Sequence, residues 1–470
     1  MKRRLLFLFA LLLLVSGLMT TFTGAAHAAT SVARTSSRCV NPNGTTTLQG
    51  SIGGANYIMK VPSNWNGTLD LYSHGYVFPG SPLTAQDAGD PLTEAALLQQ
   101  GYALAGSSYS QNGWALQQAF HDQIALLDFF NATCGHPSRT IAWGHSLGGI
   151  ITAGLVQLYS NRFTGALPMC GVVAGGVGTW NQALDSAFAF DVLLAGNALP
   201  IVHITDPTGT LNQAKGILGT AQQTAQGKAR IALAAALADV PGWFTTGSPE
   251  PGSTDYAAQE QNQFLWESQV DFLFAFVARA ELEARAGGNP SWNTGVDYRD
   301  QLKDSTSKRE VVALYKQAGL NLEKDLDALN GASRIKADPG AVQYLNHYIT
   351  FNGDVHIPVL TMHTTGDGLV VNQDEQSYAS IVDFRGDSRL LRQVFVHRAG
   401  HCAFTPAETV TAFQTLINRL NTSKWDHATD PTLMNQEATA LGSTLNTAPA
   451  SFLRYQPTVF LRPFVNLWGS

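Results

Sequence analysis

Hydrophobic residues follow two alternating patterns up to about residue 175. Short apolar runs bounded by turn residues are typical of strands, and the stretches between them carry apolar residues at helical spacing. Strands that alternate with helices predict a mostly parallel sheet covered by helices on both faces. The predicted elements are strands at 67–73, 102–107, 140–143 and 166–173, helices at 91–100, 114–130 and 147–159, and a hairpin at 48–59.

Beyond residue 175 the pattern changes to helices alone as far as about residue 351, and strand–helix alternation then returns. This arrangement predicts one α/β core that a long helical segment interrupts. The predicted helices of the segment include 221–238 and 264–285, and the later core has strands at 357–362 and 390–396 and helices at 374–382 and 406–420. We expect the irregular tail to pack along the core. The predicted boundaries are a leader at 1–28, the first part of the core at 29–175, a helical cap insertion at 176–351, the second part of the core at 352–420 and a carboxyl-terminal extension at 421–470.

The amino terminus has the composition of a secretory signal peptide. Residues 2–4 are basic, residues 5–15 are almost purely apolar, and Ala26-His27-Ala28 fits a small-x-small cleavage site. We expect cleavage near Ala28 and export of the mature protein. The alternative is an uncleaved anchor, for which the apolar run is short. No later segment is apolar for long enough to span a bilayer, so we expect no stable membrane insertion.

The charge balance narrows the class of partner. Loss of residues 1–28 removes three of the 29 basic residues and none of the 35 acidic ones, which leaves a net charge of −9. The chain has no basic stripe, so nucleic acid is not an expected partner. The sequence does not indicate an oligomeric state.

Four cysteines are present, at positions 39, 134, 170 and 402. An even number in an exported chain predicts two disulfides, with three possible connectivities. Metal binding is the competing interpretation, but the four are scattered and form no Cys-x-x-Cys pair. The histidines likewise show no convergent ligand pattern, and scattered examples are His203, His347, His356 and His363. We therefore predict no metal site and no cofactor.

The segment Gly144-His145-Ser146-Leu147-Gly148 joins a predicted strand directly to a predicted helix. This is the sequence form of a nucleophile elbow, in which a serine occupies a tight strand-to-helix turn. Gly144 and Gly148 lack the Cβ atoms that would collide where strand and helix nearly touch. Ser146 would then project above the sheet, at a helix end that favours developing negative charge.

A serine nucleophile needs a base, and the base needs an orienting acid. An acid and a histidine follow two late predicted strands in that order: Asp367 comes after the first and His401 after the second. Alternatives stay open at this point. Asp367 could cap a turn without taking part in the chemistry, and Asp374 or Asp387 would then be the acid. His397 could be the base instead of His401.

These three motifs in this order resemble the α/β-hydrolase superfamily, and the resemblance covers roughly residues 60–175 and 355–420. It implies an α/β-hydrolase fold with the cap inserted between strands 6 and 7. It also implies that Ser146 is the nucleophile, His401 the general base and acid, and Asp367 the orienting acid.

The same resemblance assigns roles around the serine. The family's oxyanion hole uses the amide after the nucleophile, here Leu147, and one from an early His-Gly loop, for which we choose Tyr76. His74 and Gly75 form that loop, and His74 is expected to organise it through hydrogen bonds. His145 is expected to pack beside the site without taking part in the chemistry.

The resemblance also favours one disulfide pairing. Cys170 follows the strand after the nucleophile helix and Cys402 follows the predicted base, so both would lie near the active face. A Cys170–Cys402 bridge would hold the histidine loop in place, and Cys39 would then pair with Cys134.

The predicted function is a secreted serine hydrolase that cleaves carboxylic esters of small-molecule or lipid-like substrates through an acyl-enzyme. A peptidase or amidase, which could be aminopeptidase-like, and an acyltransferase use the same triad and remain alternatives, as does an inactive binding module. Aromatic residues of the insertion are expected either to line an apolar substrate pocket or to form the insertion's own core. They are Trp180, Phe188, Phe190, Trp243, Phe244, Phe264, Trp266, Phe272, Phe274 and Phe276.

Overall fold

A mostly parallel sheet forms the centre of the protein in the computed structural model, which describes residues 38–462. Within that range the sheet has nine strands in the order β1-β2-β4-β3-β5-β6-β7-β8-β9. The strands are β1 (Thr46–Ile52), β2 (Ala55–Val61), β3 (Thr68–Ser73), β4 (Ala103–Ser107), β5 (Arg139–His145), β6 (Gly165–Met169), β7 (Val359–Gly366), β8 (Leu391–Ala399) and β9 (Phe452–Leu453). Neighbours from β4 to β8 are parallel, whereas β1, β2 and β9 pair antiparallel. This order confirms the predicted α/β-hydrolase fold.

Helices cover both faces of the sheet. Those of the first part of the core are α1 (Pro91–Gln99), α2 (Leu116–Cys134) and α3 (Leu147–Leu158), and those after the insertion are α13 (Gln373–Arg385), α14 (Pro406–Thr422) and α15 (Pro431–Ala440). Side chains of a strand alternate between the faces. On β5, Ala142 packs into the cluster under α2 and α3, whereas Ile141 and Trp143 pack into the cluster under α1 and α14. The core therefore lies in two layers, one on each side of the sheet.

The segment between β6 and β7 contains only helices, and all of its residues are described. Its α-helices are α4 (Gly175–Phe190), α5 (Pro207–Ala221), α6 (Ala225–Ala236), α7 (Tyr256–Trp266), α8 (Arg279–Ala286), α9 (Tyr298–Asp304), α10 (Lys308–Gln317), α11 (Leu322–Gly331) and α12 (Pro339–His347). A separate hydrophobic cluster holds these helices together, with Phe190, Phe272 and Phe276 buried in it. The segment lies where the insertion was predicted, and the division of the chain into domains at the stated boundaries stays a prediction.

Several element boundaries differ from the predicted ones. The helix predicted at 221–238 is interrupted, because the side chain of Thr224 caps a new helix by accepting from Gly227 N. The helix predicted at 264–285 begins earlier, at α7, and continues through two π-helical turns, Glu267–Asp271 and Leu273–Ala278. Strand β6 is shorter than predicted, because Cys170 has a φ of 42°, which is incompatible with extended backbone.

The tail was expected to be irregular, and this is wrong for its described part. It contains α15, whose first turn is capped by Asp430, and the short strand β9. Strand β9 pairs with β8 through Val396 and Phe395, so the tail packs along the core as expected. Asp430-Pro431 is a helix-start signal that was visible in the sequence.

Both disulfides join the predicted partners. Cys39 is bonded to Cys134 at the end of α2, and Cys170 is bonded to Cys402. Disulfides persist mainly in oxidising compartments, so they are compatible with the predicted export. The predicted signal peptide and its cleavage site lie outside the described residues. Among the helices of the described range, none is long and apolar enough to span a membrane.

One buried acid in the sheet lacks a partner. Asp70 lies in the middle of β3, between Leu104 of β4 and Ile141 of β5, and has no exposed surface. Neither of its carboxyl oxygens has a hydrogen-bond partner among the described residues. Burial therefore raises the pKa of Asp70 well above its usual value, because the charged form loses its hydration.

This pKa shift predicts how the stability depends on pH. The folded protein holds the Asp70 proton to a higher pH than the unfolded chain does. Asp70 should therefore lower the free energy of unfolding by about 1.4 kcal/mol per pH unit above about pH 4, until its folded-state pKa is passed. Asp70→Asn should make the slope of stability against pH shallower by that amount, as measured by urea unfolding between pH 5 and pH 8. The exposed Asp300→Asn variant is the control and should keep the wild-type slope. An unchanged slope in Asp70→Asn would contradict the prediction.

Candidate active site

Ser146 occupies the turn between β5 and α3. Its φ of 58° and ψ of −122° are strained for a residue with a side chain. The close packing of the turn requires glycine on both sides. A Cβ on Gly144 would lie 2.4 Å from the carbonyl oxygen of Ser73, and one on Gly148 would lie 1.9 Å from the same oxygen. This turn presents Ser146 at the carboxyl end of the parallel strands.

The structure brings the three predicted residues into one hydrogen-bonded chain. His401 follows β8, and its Nε2 lies 2.7 Å from Ser146 Oγ. Its Nδ1 lies 2.7 Å from Oδ2 of Asp367, which follows β7. The Asp367 side chain has no exposed surface, whereas that of His401 is 19% exposed. A histidine in this position can take a proton from the serine while the carboxylate holds the ring in place.

The alternative acids and base have other partners. Asp374 accepts hydrogen bonds from Ala174 N and Thr179 Oγ1, and Asp387 accepts one from Val355 N. His397 lies on β8 itself and is exposed, and its Nε2 is 2.9 Å from Glu250 Oε2. None of these side chains is hydrogen-bonded to Ser146 or His401 in the described part of the chain.

Asp367 is held as an anion by its surroundings. Its Oδ1 accepts hydrogen bonds from the amides of Leu369 and Val370, each 3.1 Å long. Burial alone would raise the pKa of Asp367, but the charges and hydrogen bonds of His401 and His363 outweigh that effect and lower it. The carboxylate is therefore charged when the histidine needs it.

Sequence reasoning missed the buried network behind Asp367. His363 of β7 is fully buried, and its Nε2 donates to the carbonyl of Val370 at 2.8 Å and lies 3.5 Å from Asp367 Oδ2. Its Nδ1 lies 3.2 Å from Oε1 of Glu375, whose other oxygen accepts from Thr361 and Gln393. Burial lowers the pKa of His363, but the two carboxylates outweigh burial and raise it to about 10. His363 is thus an imidazolium between two acids.

The loop that carries His401 is attached at several points. Gly400 N donates to the carbonyl of Gly366, and Thr364 Oγ1 donates to the carbonyl of Gly400. The Cys170–Cys402 disulfide joins the residue after His401 to the end of β6. Together these bonds fix the histidine over the serine.

Among the described residues, one group brings potential metal ligands together. The ligand atoms of Cys170, His401 and Cys402 lie within 4.8 Å of one another. The two sulfur atoms are bonded to each other, however, so neither is a thiolate that could bind a metal.

The two predicted oxyanion donors lie beside Ser146. Leu147 is the first residue of α3, and Tyr76 follows Gly75, where an added Cβ would lie 3.5 Å from Ser146 Cβ. Neither amide, of Leu147 or of Tyr76, donates to a protein acceptor in the part of the chain that the structure describes. Both amides therefore remain candidates for the predicted oxyanion hole.

His74 and His145 lie behind this loop and the serine. The ring of His74 is stacked on Tyr109 with the centroids 4.1 Å apart, and its Nδ1 is 2.7 Å from the carbonyl of Gly75. Tyr109 in turn donates to the carbonyl of His74, so the pair holds the loop in shape. His145 Nδ1 is 3.1 Å from the hydroxyl of Tyr72. Desolvation lowers the pKa of His145 to about 4, which keeps the ring neutral.

A mainly apolar cavity of about 60 Å³ opens beside Ser146 and Leu147. Four aromatic side chains line it: Tyr76 and Trp114 from the core, and Trp180 and Phe274 from the insertion. Two of the predicted pocket aromatics are therefore at the site. Phe272 and Phe276 belong instead to the core of the insertion.

No protein-family model matches the chain. It is similar to an o-phthalyl amidase of Xanthobacter agilis, with 28% identity over 421 residues that cover 82% of this chain and 89% of the relative. Among solved structures it is similar to the feruloyl esterase B of Aspergillus oryzae (13% identity, TM-score 0.39, 81% of each chain). A further similar structure is the rice cell wall degrading esterase LipA of Xanthomonas oryzae (13% identity, TM-score 0.35, 81% of this chain and 89% of that one).

The buried network behind Asp367 yields a prediction. His363→Gln removes the cation beside Asp367, so Asp367 should keep its proton to a higher pH. We expect kcat to fall by about 10- to 100-fold, from a lost interaction with a charged group of about 1.5–3 kcal/mol. The acid limb of the kcat–pH profile should move to higher pH, while KM changes little.

A matched control is the exposed His356→Gln variant, which should behave as wild type. Circular dichroism and thermal unfolding separate a folding defect from a kinetic one. A folded His363→Gln protein with the wild-type acid limb would show that His363 does not act through Asp367.

Proposed function

We propose that this protein of the α/β-hydrolase fold is a serine hydrolase that cleaves carboxylic esters through an acyl-enzyme. The observation that carries the proposal is the unbroken chain of two 2.7 Å contacts from Ser146 through His401 to Asp367. The free amides of Leu147 and Tyr76 beside the serine support it.

The proposed reaction has two steps. Ser146 Oγ attacks the substrate carbonyl while His401 Nε2 takes the hydroxyl proton, and the carbonyl oxygen becomes an oxyanion held by the two amides. His401 then gives that proton to the departing alkoxide, which leaves as an alcohol. In the second step His401 takes a proton from water, the hydroxide attacks the acyl-enzyme, and Ser146 recovers its proton as the acid leaves.

Asp367 supplies the electrostatic part of this mechanism. When His401 takes the proton it becomes a cation within hydrogen-bond distance of a fully buried carboxylate. The paired charges stabilise the transition state in a site that water screens little. Asp367 has a second role in the proposal. It accepts the Nδ1 proton of His401 and so holds the ring in the tautomer whose Nε2 is unprotonated.

The aromatic cavity indicates the shape of the acyl group. Trp114 and Trp180 pack edge to face 5.5 Å apart, and Tyr76 and Phe274 are likewise 5.5 Å apart. Flat rings that surround the space next to a nucleophile favour a flat or bulky apolar acyl group over a short one. We propose an aromatic acyl group as the preferred occupant.

Amide hydrolysis is the second candidate function, and one observation favours it. The curated relative, similar over 82% of this chain, is an amidase, and its name refers to an aromatic acyl group. The same catalytic residues can cleave an amide if His401 protonates the departing amine before the carbon–nitrogen bond breaks.

The role of Ser146 can be tested directly. A fluorophosphonate probe should label the wild-type protein at Ser146, because the activated hydroxyl attacks phosphorus as it attacks a carbonyl. Ser146→Ala should lose labelling and turnover while it remains folded, and Asp367→Asn should lower kcat by about 10⁴-fold. A folded wild-type protein that is not labelled would exclude the proposed mechanism.

Ester and amide specificity can be separated with matched substrates. We expect p-nitrophenyl benzoate to exceed p-nitrophenyl acetate in kcat/KM, corrected for their intrinsic reactivity, and Phe274→Ala to reduce that preference. The anilide with the same benzoyl group measures amidase activity beside the ester. Anilide turnover close to that of the ester would make amide hydrolysis the better description, and equal rates for acetyl and benzoyl would contradict the aromatic acyl pocket.

A further inference from the structure

A second cavity, of about 40 Å³, adjoins the aromatic cavity at Ser146. The two share four lining residues, namely Gln182, Ala183, Phe274 and Leu369. A substrate bound at Ser146 could therefore extend past Phe274 into the second cavity. This inference rests on the proposed function, because it concerns the substrate of the same site.

Two acidic side chains form part of the second cavity's wall. Glu267 and Asp271 belong to the first π-helical turn, four residues apart. Glu267 is 3% exposed, and its Oε1 accepts a hydrogen bond of 2.7 Å from Ser186 Oγ. The side chain of Asp271 differs, because neither of its oxygens has a hydrogen-bond partner in the described part of the chain and each exposes less than 1 Å².

No cation of the described protein compensates these acids. The residues that line the cavity include no lysine, arginine or histidine, and neither acid takes part in an ion pair between described residues. The neighbouring charge from the loop after β7 is also negative, because the Asp367 carboxylate repels a charge on Asp271. Burial first, and then the charges of Glu267 and Asp367, raise the pKa of Asp271 well above its usual value, and burial raises that of Glu267 to about 7.

Such a pair destabilises the fold. A buried carboxyl without a partner has lost its hydration without gaining a hydrogen bond, and two close acids repel each other once ionised. A ligand that brings positive charge and N–H donors would relieve both costs. The other residues that line the cavity are uncharged and include alanines, phenylalanines and Val240. They leave space for a small group, and none of them is a cation that would compete with the ligand for the two acids.

We infer that the second cavity is a subsite for a cationic nitrogen group of the substrate, with Glu267 and Asp271 as its acceptors. The substrate class is then an ester or amide with an apolar acyl portion, which occupies the aromatic cavity, and a primary ammonium group at its far end. Gln182 and Phe274 lie at the junction and set the distance between the two groups.

The experiment compares pairs of substrates that differ only in charge. One pair is the p-nitrophenyl esters of aminohexanoate and heptanoate, in which a terminal ammonium replaces a methyl group. A second pair is the p-nitrophenyl esters of para-aminomethylbenzoate and para-ethylbenzoate. We expect the better-fitting ammonium ester to exceed its neutral partner in kcat/KM by about 10- to 100-fold, as for a hydrogen-bonded charge pair.

Isosteric variants assign that preference to the two acids. Asp271→Asn and Glu267→Gln should each lower kcat/KM for the ammonium ester toward that of the neutral ester, while the neutral ester keeps its rate. Glu260→Gln is the matched control, because Glu260 is a fully buried acid of the same insertion, is bound by Gln222 and does not line the cavity. It should leave both rates as in wild type.

The outcomes separate this inference from the proposed function. Ser146-dependent turnover of the neutral esters without any ammonium preference in wild type would overturn the subsite alone, as would variants that slow both esters equally. Absence of Ser146 labelling would overturn the proposed function. If the variants do not fold, inhibition of the wild-type protein decides: benzylammonium should compete with the neutral ester more strongly than benzyl alcohol, and equal inhibition would contradict the subsite.

Discussion

Asp367 has no exposed side-chain surface, so the protein must satisfy each of its lone pairs without water. Two amides of its own loop bind one oxygen, and His401 binds the other. Behind it, His363 brings a buried positive charge that Glu375 balances from α13. The requirement to compensate one buried charge thus links β7, its loop, α13 and the histidine loop into a single network. The orientation of His401 over Ser146 depends on that network.

The serine is positioned by a constraint of a different kind. Helix α3 approaches the end of β3 so closely that only glycine fits at positions 144 and 148. This steric requirement places the nucleophile and the amide of Leu147 together without any charge. Two of the four aromatic side chains of the cavity beside Ser146, and both acids of the second cavity, come from the helical insertion. In the proposed function the core therefore carries the chemistry, and the core and the insertion together form the space for the substrate.

The alternation of strand and helix patterns was sufficient to predict the order of elements, because buried faces impose periods of 2 and 3.6 residues on the sequence. It was insufficient at element ends. The helix predicted at 221–238 is interrupted at Thr224, which caps a new helix. The helix predicted at 264–285 begins earlier, at α7, and contains π-helical turns at 267–278 that the pattern did not distinguish from α-helix. In the tail, Asp430-Pro431 is a helix-start signal that the prediction of an irregular tail overlooked. The pairing of β9 with β8 depends on contacts distant in sequence, which no local pattern shows.

By itself the sequence determined the candidate nucleophile, because Ser146 stands in a local motif whose chemistry needs a serine at that place. It narrowed the acid and the base to a few residues after two late strands. The resemblance that these motifs carry also favoured the disulfide pairing that the structure contains. Only the tertiary structure decided which of Asp367, Asp374 and Asp387 faces the histidine, since all three follow the same strand. It alone revealed His363 as a buried cation and Asp271 as an unpartnered acid. Burial and charge pairing arise from residues that meet across elements, and no local pattern in the sequence records those meetings.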